Sequence, residues 1–186
     1  MPTYLQGLTI GLAYVAPIGM QNLFVINSAL TQPRRRALLT ALIVIAFDIS
    51  LALACFFGIG ALVERFDWLQ RLILIVGGCI VVWIGIGLLR DKPTLDRDVD
   101  VSIPLPRLAA KAFVVTWINP QALIDGTMLF GSFRAGNPGA VASQLMLGSA
   151  SASCLWFLGI TILISFFSAK FNDKILRVIN VVCGLI

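Results

Sequence analysis

The chain has 186 residues, of which 59% are hydrophobic and 12% charged, with a mean hydropathy of +0.95 and a formal net charge of +5. Soluble domains are about half apolar and about a quarter charged, so this composition excludes a soluble globular protein and leaves little chain for a soluble domain beside a membrane part. The sequence contains no histidine, which excludes histidine-based metal sites and proton relays, and its basic residues sit in short loops, where they set membrane topology rather than bind nucleic acid.

A helix needs about 20 apolar residues to cross the hydrocarbon, and six runs qualify as candidates. The first, Tyr4 to Leu30, is interrupted by Pro17, Gly19, Gln21 and Asn22. No Lys or Arg precedes Arg34, so the first run lacks the basic flank of a cleaved signal and is expected to be a retained helix. The second run, Ala37 to Val63, contains Asp48; the third, Leu69 to Leu89, is rich in glycine. A polar stretch from Arg90 to Arg107, with Pro93, Pro104 and Pro106, is expected to be a linker on the membrane surface.

The fourth run, Leu108 to Phe133, is broken at Asn119-Pro120 and ends at the turn Gly136-Asn137-Pro138-Gly139. Proline removes a backbone donor and clashes with the carbonyl four residues back, so a helix must kink or break there. The fifth run is Ala140 to Ser168. The sixth starts near Ile175 and reaches Ile186, too short to span, so helix six is expected to be incomplete in this sequence. Cys55, Cys79, Cys154 and Cys183 all lie in apolar runs without a CxxC pair and are expected to be packing residues.

With six crossings, the loops after runs one, three and five share a face. They hold Arg34, Arg35, Arg36, Arg90, Lys92, Arg97, Arg107, Lys111, Lys170, Lys174 and Arg177, against Arg65, Arg71 and Arg134 opposite. The positive-inside rule puts the first set in the cytoplasm and both termini in the periplasm. A shift of 103 positions lays Pro120 on Pro17, Asp125 on Asn22 and Ser151 on Asp48. Residues 1–90 and 108–186 are therefore expected to be two three-helix repeats of opposite orientation, joined by the linker 91–107. Inverted repeats with paired broken helices are a transporter pattern, with the substrate site between the halves.

Asp48 and Asp125 are the acids deep in apolar runs, with no Lys or Arg at comparable depth. A buried carboxylate at mid-bilayer costs about 2.5–3.5 kcal/mol on insertion scales, and its expected partner is a substrate cation or a proton. The helix breaks supply free N–H groups suited to an anion. Substrate contacts are therefore expected at Asp48, Asp125, Asn22, Gln21, Asn119, Gln121 and Ser151, around the breaks at Pro17, Gly19 and Pro120. A zwitterion with a cationic side chain fits, carboxylate at the breaks and cation at the aspartates. Ser149, Ser151 and Ser153 serve close helix packing first. Trp83 and Trp156 are expected to pack against helices or lipid, with lining of the cavity as the alternative. Two carboxylates with amide oxygens also suit a hard metal ion. A thiol carrier would need cysteine at the breaks, which have none, and an enzyme would need a nucleophile–base pair that the chain does not offer.

The motifs Gln6-Gly7-Leu8, Pro17-x-Gly19-x-Gln21-Asn22, Asp48, Thr116-Trp117-Ile118-Asn119-Pro120 with Asp125, and Ser151-Ala152-Ser153 with Leu155-Trp156-Phe157 span nearly the whole chain. Together they resemble the LysE-type exporters of basic amino acids, close to the arginine-exporter branch. One departure is Met20, where that family commonly has a second proline. The resemblance implies a six-helix, all-α integral membrane protein of the bacterial inner membrane. It further implies export of L-arginine, lysine or analogues such as canavanine, coupled to the proton or the membrane potential, without a cofactor and with room for a homodimer. Export of another amino acid, a metabolite or a metal cation is the alternative.

Overall fold

The structure is a computed structural model, and it describes residues 2–17, 19–58 and 104–167, with single positions 66, 68, 71, 72, 75, 79, 82 and 86 between them. All regular structure among the described residues is α-helical: α1 (Thr3–Val15), α2 (Met20–Thr31), α3 (Arg34–Phe56), α4 (Leu105–Trp117), α5 (Pro120–Gly136) and α6 (Gly139–Phe167). The first apolar run is thus α1 and α2, the second α3, the fourth α4 and α5, and the fifth α6. Apart from the single positions, the third run, the linker up to residue 103 and the sixth run lie outside the described residues.

Among the described residues, two helices, α3 and α6, are each long and apolar enough to cross a membrane. At 1.5 Å per residue, the 23 residues of α3 reach about 34 Å, a little more than the hydrocarbon core. A third candidate is the α1–α2 pair taken together, whose axes meet at 79°. Pro17 lies in the bend, and α1 closes just before it with Ala16 N–H donating to the Leu12 carbonyl at 2.9 Å.

The helix limits follow from local chemistry. Pro33 precedes α3, which begins three residues earlier than the apolar run suggests, because the basic residues Arg34 to Arg36 form its first turn. Gly58, at φ +98°, ends α3 by taking the left-handed conformation that glycine adopts without Cβ strain. The start of α4 corrects the sequence reading. Pro104 and Pro106 are expected in the linker, but α4 begins at Leu105, with Pro106 in its first turn. Proline is tolerated there, since those N–H groups have no intrahelical acceptor.

The long α3 is the centre of the bundle, packing against α2, α4, α5 and α6. The most intimate crossing is α1 on α6. A methyl group on Gly7 would land on the carbonyl of Leu145, and one on Gly148 on the carbonyl of Tyr4, while one on Gly11 would lie 2.6 Å from Ser149 Cα. The backbones meet directly, and Ser149 Oγ–H donates to the Gly7 carbonyl at 3.0 Å. Small residues allow this approach in a membrane, where van der Waals contact replaces the hydrophobic drive. Gly148→Ala is therefore expected to cost about 1–3 kcal/mol through overpacking. Thermal unfolding in detergent checks this against Gly159→Ala on the same helix, where an added methyl meets nothing within 4 Å.

Candidate functional site: a polar layer around Asp48

Asp48 sits past the middle of α3 and is 2% exposed. Ser153 Oγ–H of α6 donates to its Oδ2 at 2.6 Å, and Gln21 Nε2–H of α2 donates to its Oδ1 at 3.2 Å. The same Gln21 nitrogen donates to Thr116 Oγ1 of α4 at 3.1 Å. Side chains of α2 and α6 thus meet on the carboxylate of α3, with α4 joined to it through Gln21, and both donors that hold it are neutral.

This polar layer divides two apolar clusters. Toward the Phe56 end of α3, Leu51, Ala52, Cys55 and Phe56 pack with Ala122, Leu123, Phe130 and Phe133 of α5 and with Ala142, Leu145 and Met146 of α6. Toward the Arg34 end, Ala41, Val44 and Ile45 pack with Val25 of α2, Ala112 of α4 and Phe157 of α6. The order recurs along α4 and the α5 that follows it, where Thr116 falls between Ala112 and Ala122. It recurs again along α6, where Ser149 and Ser153 fall between Met146 and Phe157. A buried polar layer closed by apolar packing on both sides is the arrangement expected of an occluded binding site in a membrane.

The breaks flank this layer, and their amides are put to work on the backbone. Asn22 is 4% exposed. Its Nδ2 donates to the carbonyls of Val15 at 2.9 Å and Pro17 at 2.6 Å, while its Oδ1 accepts from Trp156 Nε1–H at 2.9 Å. It satisfies carbonyls that the end of α1 leaves open. At the second break, Asn119 is the N-cap of α5, its Oδ1 accepting from Gln121 N–H at 3.1 Å, with Pro120 as the first helical residue. Trp117 Nε1–H donates to Ser50 Oγ at 3.0 Å, tying the end of α4 to α3. The start of α2 differs: its N-cap is Gly19, and no side chain caps it.

The sequence model of the LysE type translocators matches residues 12–186. The chain belongs to the LysE type translocator family. The arginine exporter protein ArgO of Enterobacter sp. (strain 638) is 30% identical over 188 residues, covering 98% of this chain and 88% of the relative. The proteins of the same name from Salmonella schwarzengrund (strain CVM19633) and Salmonella newport (strain SL254) match at the same identity and coverage. No solved structure matches significantly. The protein is thus a multi-pass membrane translocator rather than an enzyme.

Within this translocator, Asp48 and Gln21 meet in the layer, while the neighbouring Asn22 turns to the backbone of the break and to Trp156. Asp125 lies one turn into α5, half-buried, and accepts from Gln121 Nε2–H at 2.8 Å. Ser151 stands apart from Asp48, its hydroxyl donating to the Leu147 carbonyl at 2.9 Å. The serine that holds Asp48 is Ser153. Pro17 is exposed, and Gly19 and Pro120 are half-buried at their breaks. Sequence reasoning left Thr116 out of the layer and ranked packing first for Ser153, which belongs to it. The helical period carried the signal for Ser153, since Ser149 and Ser153 are four residues apart on one face, which Ser151 does not share.

Proposed function

We propose that this translocator exports cationic amino acids, L-arginine foremost and lysine and canavanine with it, across the bacterial inner membrane. The observation that carries the reading is a carboxylate, Asp48, buried between two apolar clusters and held by neutral donors alone among the described residues. The name borne by the relatives supports the same substrate. In this reading the guanidinium or ammonium is held by Asp48, with Asp125 as the second acid. The α-carboxylate lies at the start of α2, whose first N–H groups have no side-chain cap, in preference to α5, whose N-terminus Asn119 already caps. Gln21 and Gln121 hold the acids at rest and exchange that contact for substrate. One of the two acids carries the proton if the pH gradient drives export.

Residues 1–90 and 108–186 are taken as inverted repeats, α1–α2 answering α4–α5 and α3 answering α6, with 91–107 as the cytoplasmic linker between them. Arg34, Arg35 and Arg36 face the cytoplasm. The N-terminus is periplasmic if the bent α1–α2 pair spans, and returns to the cytoplasm if the pair is a re-entrant hairpin. The test is counterflow in proteoliposomes, comparing arginine, lysine, canavanine and leucine with and without an imposed pH gradient or potential. Exchange of the three cations and exclusion of leucine is expected. Leucine exchanging as fast as arginine would overturn the reading.

A further inference from the structure

Tyr14 stands on the last turn of α1, next to the first break. Its ring meets Phe130 of α5 edge-on, centroids 5.2 Å apart at 76°. Its hydroxyl donates to the carbonyl of Ala122 at 3.2 Å, two residues into α5 from Pro120. One hydrogen bond therefore joins the end of the first helix of one broken pair to the start of the second helix of the other. Gly126 makes room for it: a methyl there would lie 3.2 Å from the Tyr14 hydroxyl and 3.3 Å from Cys55 Sγ. Thr127 Oγ1 approaches the same sulfur at 3.8 Å. This junction belongs to the apolar cluster on the Phe56 side of Asp48.

The two closures over Asp48 differ in kind. On the Arg34 side, the apolar cluster of α2, α3, α4 and α6 is accompanied by a buried bond within the α2–α3 hairpin, Ser28 Oγ–H to Thr40 Oγ1 at 3.0 Å. On the Phe56 side, the junction joins distant parts of the chain. There α1 is fixed to α6 by backbone contact through Gly7 and Gly148, whereas Tyr14 meets α5 only by its side chain, on the Phe130 ring and the Ala122 carbonyl. We propose that Tyr14 is the latch of the gate on the Phe56 side: its bond to Ala122 holds α5 against α1 over the Asp48 layer, and breaking it opens the path from that layer to the membrane face at the end of α3. The latch takes its meaning from the translocator reading above, but its test does not involve substrate.

Cys55, buried behind the latch, reports the opening, and Cys154, half-buried beside the other cluster, is the internal control. In a background with Cys79→Ser and Cys183→Ser, alkylation by a membrane-impermeant maleimide is followed at both thiols by peptide mass spectrometry. Reagent is applied from each face, the faces being identified in a separate variant with Arg35→Cys. Loss of one neutral hydrogen bond in Tyr14→Phe is expected to speed Cys55 alkylation from the Phe56 face roughly two- to tenfold, with the Cys154 rate unchanged. Gly126→Ala, which crowds the latch from the α5 side with Tyr14 intact, is expected to act in the same direction and stands in if Tyr14→Phe folds poorly. An unchanged Cys55 rate in folded variants overturns the latch. So does equal acceleration of both thiols, which is general loosening, and so does acceleration from the Arg34 face alone. Because no amino acid is present, a failed counterflow assay and a failed latch are separate results.

Discussion

Asp48→Asn is expected to abolish arginine export while the protein still inserts and folds. The substitution keeps the shape of the side chain and removes its charge. The layer can absorb the change. Ser153 donates to Oδ2 at 2.6 Å and also lies 3.5 Å from the Ser149 carbonyl, so its hydroxyl can turn to that carbonyl and accept from the new amide. Gln21 keeps its contact with the remaining oxygen and with Thr116. What cannot be replaced is the attraction for a buried cation. Removing one partner of a buried, hydrogen-bonded charge pair costs about 2–5 kcal/mol, or roughly 30- to several-thousand-fold in transport at limiting substrate. The measurement is export rate per unit of inserted protein, with the thermal midpoint in detergent as the check on folding. Wild-type export with a wild-type midpoint would remove Asp48 from the mechanism. Asp125→Asn is the companion variant. Its carboxylate is half-buried beside Gln121, so its loss is expected to be smaller than that of Asp48.

Much of the architecture was legible because it is set by local rules. Proline disrupts the helical turn that precedes it but can open a new helix, so the ends of α1 and α4 and the start of α5 could be read from Pro17 and Pro120 to within a few residues. The limits of α6 followed its apolar run because hydrocarbon tolerates few polar side chains, whereas α3 ends at Phe56, seven residues short of the expected Val63, where Gly58 turns the chain. Pro104 and Pro106 misled because the same residue that breaks a helix interior also suits a first turn. At the site, Asp48 and Gln21 were legible because an acid and an amide in an apolar run stand out. Ser153 was not, because sliding one half of the chain over the other matches positions without regard to helix face. Two residues of shift moved the match from Ser153 to Ser151, a turn of about 200° around the axis. Tyr14 was illegible for a different reason. Its role depends on a carbonyl 108 residues away, and nothing in the local sequence distinguishes it from any other tyrosine near a helix end.

Asn22 and Asn119 show how a polar residue beside a break can be read two ways. Both were expected to contact substrate, and both use their side chains on the backbone of the break. Short polar side chains compete with the helix for its own backbone groups, and at a proline break that competition is what completes the hydrogen bonding. Asn22→Leu therefore tests the assignment with a large effect. It would leave the carbonyls of Val15 and Pro17 and the indole N–H of Trp156 without their partner. The buried Val15 carbonyl costs about 1–3 kcal/mol when unsatisfied, the part-buried indole N–H adds to it and water can reach the exposed Pro17, so the variant is expected to lose about 2 kcal/mol or more and to be recovered in poor yield. Trp156→Phe leaves one group unpaired, the Asn22 carbonyl oxygen, and is expected to lose about 1–3 kcal/mol. The ordering of the two thermal midpoints is the observable: Asn22→Leu below Trp156→Phe, and both below the parent. If Asn22→Leu instead kept the parental midpoint and lost export, its amide would belong to the substrate, and the break would have to be held by other means.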